Sequence, residues 1–194
     1  MIVVVTGAMA AGKSTVAQLI AERLPRAVHV RGDAFRRMIV SGCAEVGPDL
    51  APEALAQLRL RHRLSAMVAD EYAEAGFTAV VQDVILGGEL PRYIDLIRSR
   101  PVHLVVLAPR ADALAARAAG RRKRGYAADE ETGQGAGTPG GREAERRRWT
   151  IAELDRGLRE TTPRLGLWLD TSEQTPEETV DEILARLEEA RVRE

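Results

Sequence analysis

The apolar positions of this chain follow two rhythms in alternation. Ile2–Thr6 is a continuous, largely β-branched run, the pattern of a strand buried on both faces of a parallel sheet. From Lys13 to Leu24 the spacing changes. Val16, Leu19, Ile20 and Leu24 return to one helical face, and Pro25 ends the helix. The exchange then repeats, with strands predicted at Val28–Arg31, Ala79–Asp83, Val102–Ala108 and Leu167–Leu169. Helices are predicted at Ala34–Val40, Pro52–Ala75, Glu89–Arg98, Asp112–Arg122 and Trp149–Glu160. A last helix opens on a capping box, Thr175 with Glu178 around Pro176, and carries Val180, Ile183, Leu184 and Leu187 on one face.

Strands alternating with helices imply crossover connections and a parallel sheet covered on both sides. The expected architecture is therefore a three-layer α/β fold, with residues 1–194 forming a single domain. Residues 120–148 break the pattern. They mix basic residues with an acidic patch at Asp129–Glu131, hold five glycines between Gly133 and Gly141, and lack an apolar period. Such a segment is expected to be a mobile insertion.

Composition narrows the partners. A net charge of −1 gives no global field towards nucleic acid or anionic lipid, and 4% aromatic residues are too few for a base-stacking surface. No stretch approaches the ~20 apolar residues of a membrane span, and the N-terminus lacks the basic start and apolar core of a secretory signal. Cys43 is the one cysteine, so no internal disulfide can form. The expectation is a cytoplasmic protein, monomer or homodimer, with a small-molecule partner and neither nucleic acid nor membrane. The chain has no asparagine, and only Lys13 and Lys123 are lysines among its 28 basic residues. Arginine abundance thus says little about function, whereas a retained lysine at position 13 says more.

That lysine completes a motif. Gly7-Ala8-Met9-Ala10-Ala11-Gly12-Lys13-Ser14 has two glycines five positions apart, followed by Lys and Ser, between an apolar strand and an amphipathic helix. The glycines let the backbone turn so that successive N–H groups face one anion. The helix beginning there adds free N–H groups and its positive dipole end. Lys13 supplies a compact charge to outer phosphates, and Ser14 a hydroxyl to Mg²⁺. Gly7 through Thr15 is accordingly the expected nucleoside-triphosphate site. A guanine-reading Asn-Lys-x-Asp loop is impossible without asparagine. The third strand ends Val80-Val81-Gln82-Asp83-Val84 with no Glu next to Asp83, unlike the Asp-Glu of many hydrolytic ATPases. Both absences favour a kinase.

With this loop and with Gly32-Asp33-x-x-Arg36, the chain resembles the small P-loop kinases of the AAA-type ATP-binding group. These include chloramphenicol-phosphotransferase-like and tunicamycin-resistance-like proteins, with shikimate, gluconate and adenylylsulfate kinases as wider relatives. The resemblance implies a P-loop NTPase fold with strand order 2-3-1-4-5, ATP and Mg²⁺ as cofactors, and a lid at 120–148. It implies an ATP-dependent kinase acting on a hydroxyl of a small molecule such as an antibiotic, nucleoside or sugar-like metabolite. A non-catalytic ATP-binding, ligand-sequestering resistance protein is the alternative.

In the resembled kinases a carboxylate at the position of Asp33 faces the acceptor hydroxyl, which gives Asp33 a catalytic and substrate-binding role. Its competing role is to cap the helix at Ala34. Arg36 or Arg37 would then clamp an anionic or hydroxyl-rich acceptor, and Gly87 and Gly88 would let it approach the backbone. Asp83 is the expected metal carboxylate beside Ser14. Arg117 corresponds to an adenine-stacking arginine, with Asp170-Thr171-Ser172 as a further adenine contact. Arg121, Lys123 and Arg124 lie where lid closure would bring positive charge to the transferring phosphoryl. Adenylylsulfate kinases carry a fuller acidic motif where this chain has Arg31 and Ala34, which argues against that substrate. Arg59, His62 and Arg63 share a face of the long helix, read as solvated, while His29 and His103 are read as core residues.

Overall fold

The computed structural model describes residues 1–47, 51–123 and 149–192, with only the backbone described at 121–123. Five strands, β1 (Ile2–Gly7), β2 (Ala27–Arg31), β3 (Thr78–Gln82), β4 (Val102–Leu107) and β5 (Leu167–Leu169), form one parallel sheet. Their order is β2-β3-β1-β4-β5. Among the described residues the helices are α1 (Lys13–Arg23), α2 (Gly32–Arg37), α3 (Pro52–Glu74), α4 (Glu89–Leu96), α5 (Ala111–Lys123), α6 (Ile151–Thr161) and α7 (Pro176–Ala185), followed by a 3-10 turn at Leu187–Ala190.

β1 is central, with Val4 opposite Val81 on one side and Leu104 on the other. All six of its residues are buried, because helices cover both faces. Val3 and Val5 pack with Val16 and Ile20 of α1 and Val180 and Ile183 of α7. Ile2 and Val4 pack with Ala66 and Ala69 of α3 and with Leu90 and Tyr93 of α4. Burying one such aliphatic side chain stabilises by ~1.5–3 kcal/mol. The continuous apolar run is therefore what holds the strand at the centre and fixes where the loop after it begins.

Several boundaries differ from the periodic pattern, for physical reasons. α2 forms at Gly32–Arg37 rather than 34–40. Met38 and Val40 are 69% and 90% exposed, so no packing extends the helix to include them. α4 stops at Leu96 instead of Arg98, because the buried Asp70 carboxylate accepts the N–H groups of Arg98 and Ser99. α6 begins at Ile151 behind a second capping box, Thr150 with Glu153. The Thr175–Glu178 box forms as expected, but Leu187 falls in the 3-10 turn. His103 is a core residue. His29 is only half-buried, its Nδ1 2.9 Å from Gln18 Oε1. The expected lid lies outside the described residues, apart from Gly120–Lys123, which continues α5.

Candidate active site

Because all strands run parallel, their carboxyl ends share one edge, the edge at which open α/β sheets bind ligands. The loop from Gly7 to Gly12 leaves β1 there. Gly7 has φ +149°, and a β-carbon on it would meet the Leu107 carbonyl oxygen at 2.4 Å, so only glycine lets β1 turn away beside β4. Gly12, at φ +94°, ends the loop as the N-cap of α1. Ala10 also lies in the left-handed region at φ +65°, a local strain of about 1 kcal/mol of the kind found at ligand-binding turns. Lys13 is buried and donates from Nζ to the Ala8 carbonyl at 2.8 Å, so its charge sits over the loop. Ser14 follows on the first turn of α1, half-buried, with Thr15 exposed; Met9 projects from the loop and is exposed.

Asp83 lies one residue past β3 and is buried. Thr6 fixes this turn, its hydroxyl bonding both the N–H and the carbonyl of Ile85 at 3.0 Å. Asp83 Oδ1 accepts the Val84 N–H at 2.7 Å and Arg61 Nη2 at 2.9 Å. Its Oδ2 is buried without a hydrogen-bond partner. Burial pushes the carboxyl above the usual carboxylate range, while Arg61, the Val84 N–H and Lys13 oppose that shift. Arg61 was not singled out in the sequence. It lies on α3 three residues after Leu58 and four before buried Ser65, a charged residue in the stripe facing the sheet, and that placement was the available signal.

Asp33 follows β2 in the first turn of α2. Arg37 Nη1 lies 3.0 Å from its Oδ2 and Arg31 Nε 3.8 Å from its Oδ1. The capping reading fails, because α2 begins at Gly32, its N-cap is Arg31, and no side chain makes a capping hydrogen bond. Asp33 and Asp83 are close enough for their charges to oppose each other. Between them lies Gly32, on which a β-carbon would meet Asp83 Oδ2 at 2.1 Å. Arg36 turns to Glu45, at 3.2 Å.

Gly87 and Gly88 precede α4, and the Gly87 N–H donates to Thr162 Oγ1 at 2.8 Å. Glu89, the first residue of α4, pairs with Arg59 at 2.8 Å, and this bond holds its carboxyl below the usual range. The expected solvated face of α3 is therefore wrong for His62. α4 packs on α3 there, and His62 is buried edge-on to Tyr93 with ring centroids 5.5 Å apart. Burial, with Arg61 next in weight, lowers its pKa to about 4. Arg63 alone of the three is exposed as expected, while Arg59 is half-buried in its ion pair.

On the other side of the loop, Arg117 of α5 donates to the Ala11 carbonyl at 3.3 Å and to the Thr171 carbonyl. It thus ties the phosphate loop to the turn after β5, where Ser172 N–H donates to Asp170 at 3.0 Å. Arg121 falls on the last turn of α5, with its side chain outside the described residues, as is that of Lys123; Arg124 lies outside them altogether. No cluster of three or more His, Cys, Asp or Glu residues suited to a metal occurs among the described residues. Within the same residues no helix is long and apolar enough to cross a membrane.

The sheet order, the loop after β1 and the lysine it presents define a P-loop fold. A family model described as an AAA domain matches residues 2–135, and the chain belongs to that family. No curated protein matches it. Solved structures do. A sugar kinase from Janibacter sp. HTCC2649 is similar, with TM-score 0.61 and 20% identity over 97% of this chain and 95% of that one. The tunicamycin resistance protein of Deinococcus radiodurans has TM-score 0.61 and 14% identity over 100% and 98%. The APS kinase of Mycobacterium tuberculosis, solved with AMPPNP and APS, has TM-score 0.60 and 20% identity over 96% of each. At such identities the likeness is one of fold.

Proposed function

We propose that this chain is an ATP-dependent phosphotransferase acting on a hydroxyl of a small molecule. The observation that carries the reading is the juxtaposition of Lys13, Asp83 and Asp33 at one sheet edge, two carboxylates within mutual influence beside the lysine held over the loop after β1. A pure nucleotide binder has no need of the second carboxylate. The kinases among the structures of similar fold agree with it.

Backbone N–H groups of Gly7–Thr15 and the Lys13 ammonium would hold the phosphates, with Arg117 on the adenine side. The unpartnered Asp83 Oδ2 and the Ser14 hydroxyl suit a hard cation, so these residues fit Mg²⁺, which supplies charge neutralisation at the phosphates when bound. Asp33 would orient the acceptor hydroxyl and take its proton. The acceptor oxygen bonds to the γ-phosphorus as the bond to the bridging oxygen breaks, and ADP leaves. Arg37, paired with Asp33, would be a neighbour of the acceptor, with Gly87 and Gly88 lining its approach. Arg121 and Arg124 would add charge from the lid. Catalysis of this kind is mostly positioning and charge stabilisation.

The test is ADP release with ATP·Mg²⁺ across hydroxylated acceptors, on the wild type and Asp33→Asn. The variant should keep ATP affinity and lose ~10²–10⁴ in acceptor-dependent turnover, the worth of a positioned acid–base group. ATP binding without acceptor-dependent ADP release would instead make the chain a nucleotide-binding sequestering protein.

A further inference from the structure

A cavity of about 180 Å³ lies between α2, the loop after it and α3. Phe35, Met38, Ile39, Leu58, Leu60 and Leu64 form much of its wall. Arg61 also lines it, and the same side chain bonds Asp83, so the cavity adjoins the proposed transfer site. Phe35 and Arg36 stand two and three residues beyond Asp33 on α2.

The charges at this wall are satisfied from within the chain. Arg61 pairs with Asp83 at 2.9 Å and Arg36 with Glu45 at 3.2 Å. The Gln57 amide is used as well, accepting from Ala44 N–H and donating to the Gly42 carbonyl and to Glu53. An anion entering here would need one of these pairs to break, or would lie desolvated against apolar side chains. A neutral group meets no such penalty. One donor is left over, since Arg61 Nε is buried without a hydrogen-bond partner, and it suits an uncharged oxygen. Volume sets the scale, because an apolar space of about 150 Å³ stays dry and takes benzene.

We infer that the acceptor is an uncharged alcohol with an apolar, ring-sized body seated between α2 and α3, rather than an anionic metabolite such as a sugar acid or a phosphorylated or sulfated compound. Met38, 69% exposed at the rim, and Leu60, 40% exposed beside it, extend the apolar surface outward. This inference rests on the phosphotransferase reading for what happens next, but binding tests it separately.

The probes are 3-phenyl-1,2-propanediol and 3-phenyllactate, which share a skeleton and a hydroxyl and differ in charge. Calorimetric titration of the full chain, saturated with a non-hydrolysable ATP analogue and Mg²⁺, should show the diol binding at least ~10-fold more tightly, since an unpaired charge resists burial. Met38→Glu, a surface change that folding should tolerate, should weaken the diol ~5-fold or more while ATP affinity holds, by placing charge at an apolar rim. Leu60→Glu provides a second rim variant with the same expectation. Equal or tighter binding of phenyllactate overturns the inference, as does no binding of the diol or indifference to both variants. If the diol binds as described and no ADP is released with it, the phosphotransferase reading falls while the neutral site stands.

Discussion

Gly32 and Asp83 touch across the β2 and β3 ends of the sheet: a β-carbon at Gly32 would lie 2.1 Å from Asp83 Oδ2. The glycine is needed for closeness, not for backbone freedom, since it has no left-handed φ. It lets Asp33 approach a carboxylate that cannot easily yield, because Asp83 is gripped by Val84 N–H and Arg61.

Gly32→Ala should therefore act as overpacking, costing about 1–3 kcal/mol of stability. The β2–α2 junction would move away from Asp83, and Mg²⁺-dependent ATP affinity should fall ~10-fold or more, as expected when a site is misplaced by an ångström. Urea unfolding and a nucleotide titration measure the two effects. A variant with wild-type values for both would show that this contact constrains nothing.

Arg61 and Asp83 form a buried pair, with side chains 14% and 3% exposed. Removing one partner of such a pair leaves the other desolvated, so Arg61→Met should destabilise by about 2–4 kcal/mol. Adding Asp83→Asn should recover at least half of that loss, giving a coupling of ~1–2 kcal/mol in a double-mutant cycle. Additive losses in denaturant titrations would mean that the two side chains are neighbours without being energetically joined.

His62 supplies a pH dependence. Its folded pKa is lowered from 6.5 to about 4, so between those values the unfolded chain binds the proton and the folded chain does not. Stability contributed by the neutral ring is thus complete above pH 6.5 and falls as pH drops towards 4, by up to ~3 kcal/mol at one pKa unit per 1.36 kcal/mol. Arg61 and Arg59 add to the lowering and Glu89 opposes it. An NMR titration of the imidazole checks this directly. A midpoint near 6.5 would mean that the ring is hydrated.

The likeness of this fold to its sequence pattern is greatest where one residue answers mainly to its neighbours in the chain. Gly7–Ser14 specifies its own backbone turn, and the apolar run of Ile2–Thr6 already requires cover on both faces. With the alternation of periods, these were enough for the three-layer α/β fold. Thr175 and Glu178 likewise signalled a helix start from three residues' spacing. The losses came where a distant element supplied the partner. α4 ends early because Asp70 of α3 takes the N–H groups of Arg98 and Ser99 just beyond it, and no local feature of Arg98 announces that.

What the sequence by itself determined is a parallel α/β sheet that presents a phosphate loop, a conclusion carried by periodicity and by backbone geometry within a few residues. What only the tertiary structure decided is the surroundings of that loop. Docking α3 on the sheet turns Arg61 from one of many arginines into the partner of Asp83, buries His62 beneath Glu89, and, with the helix start at Gly32, leaves Asp33 without a capping bond. Charges separated by 22 residues attract according to their distance and the water excluded between them, and both are set by packing rather than by order along the chain.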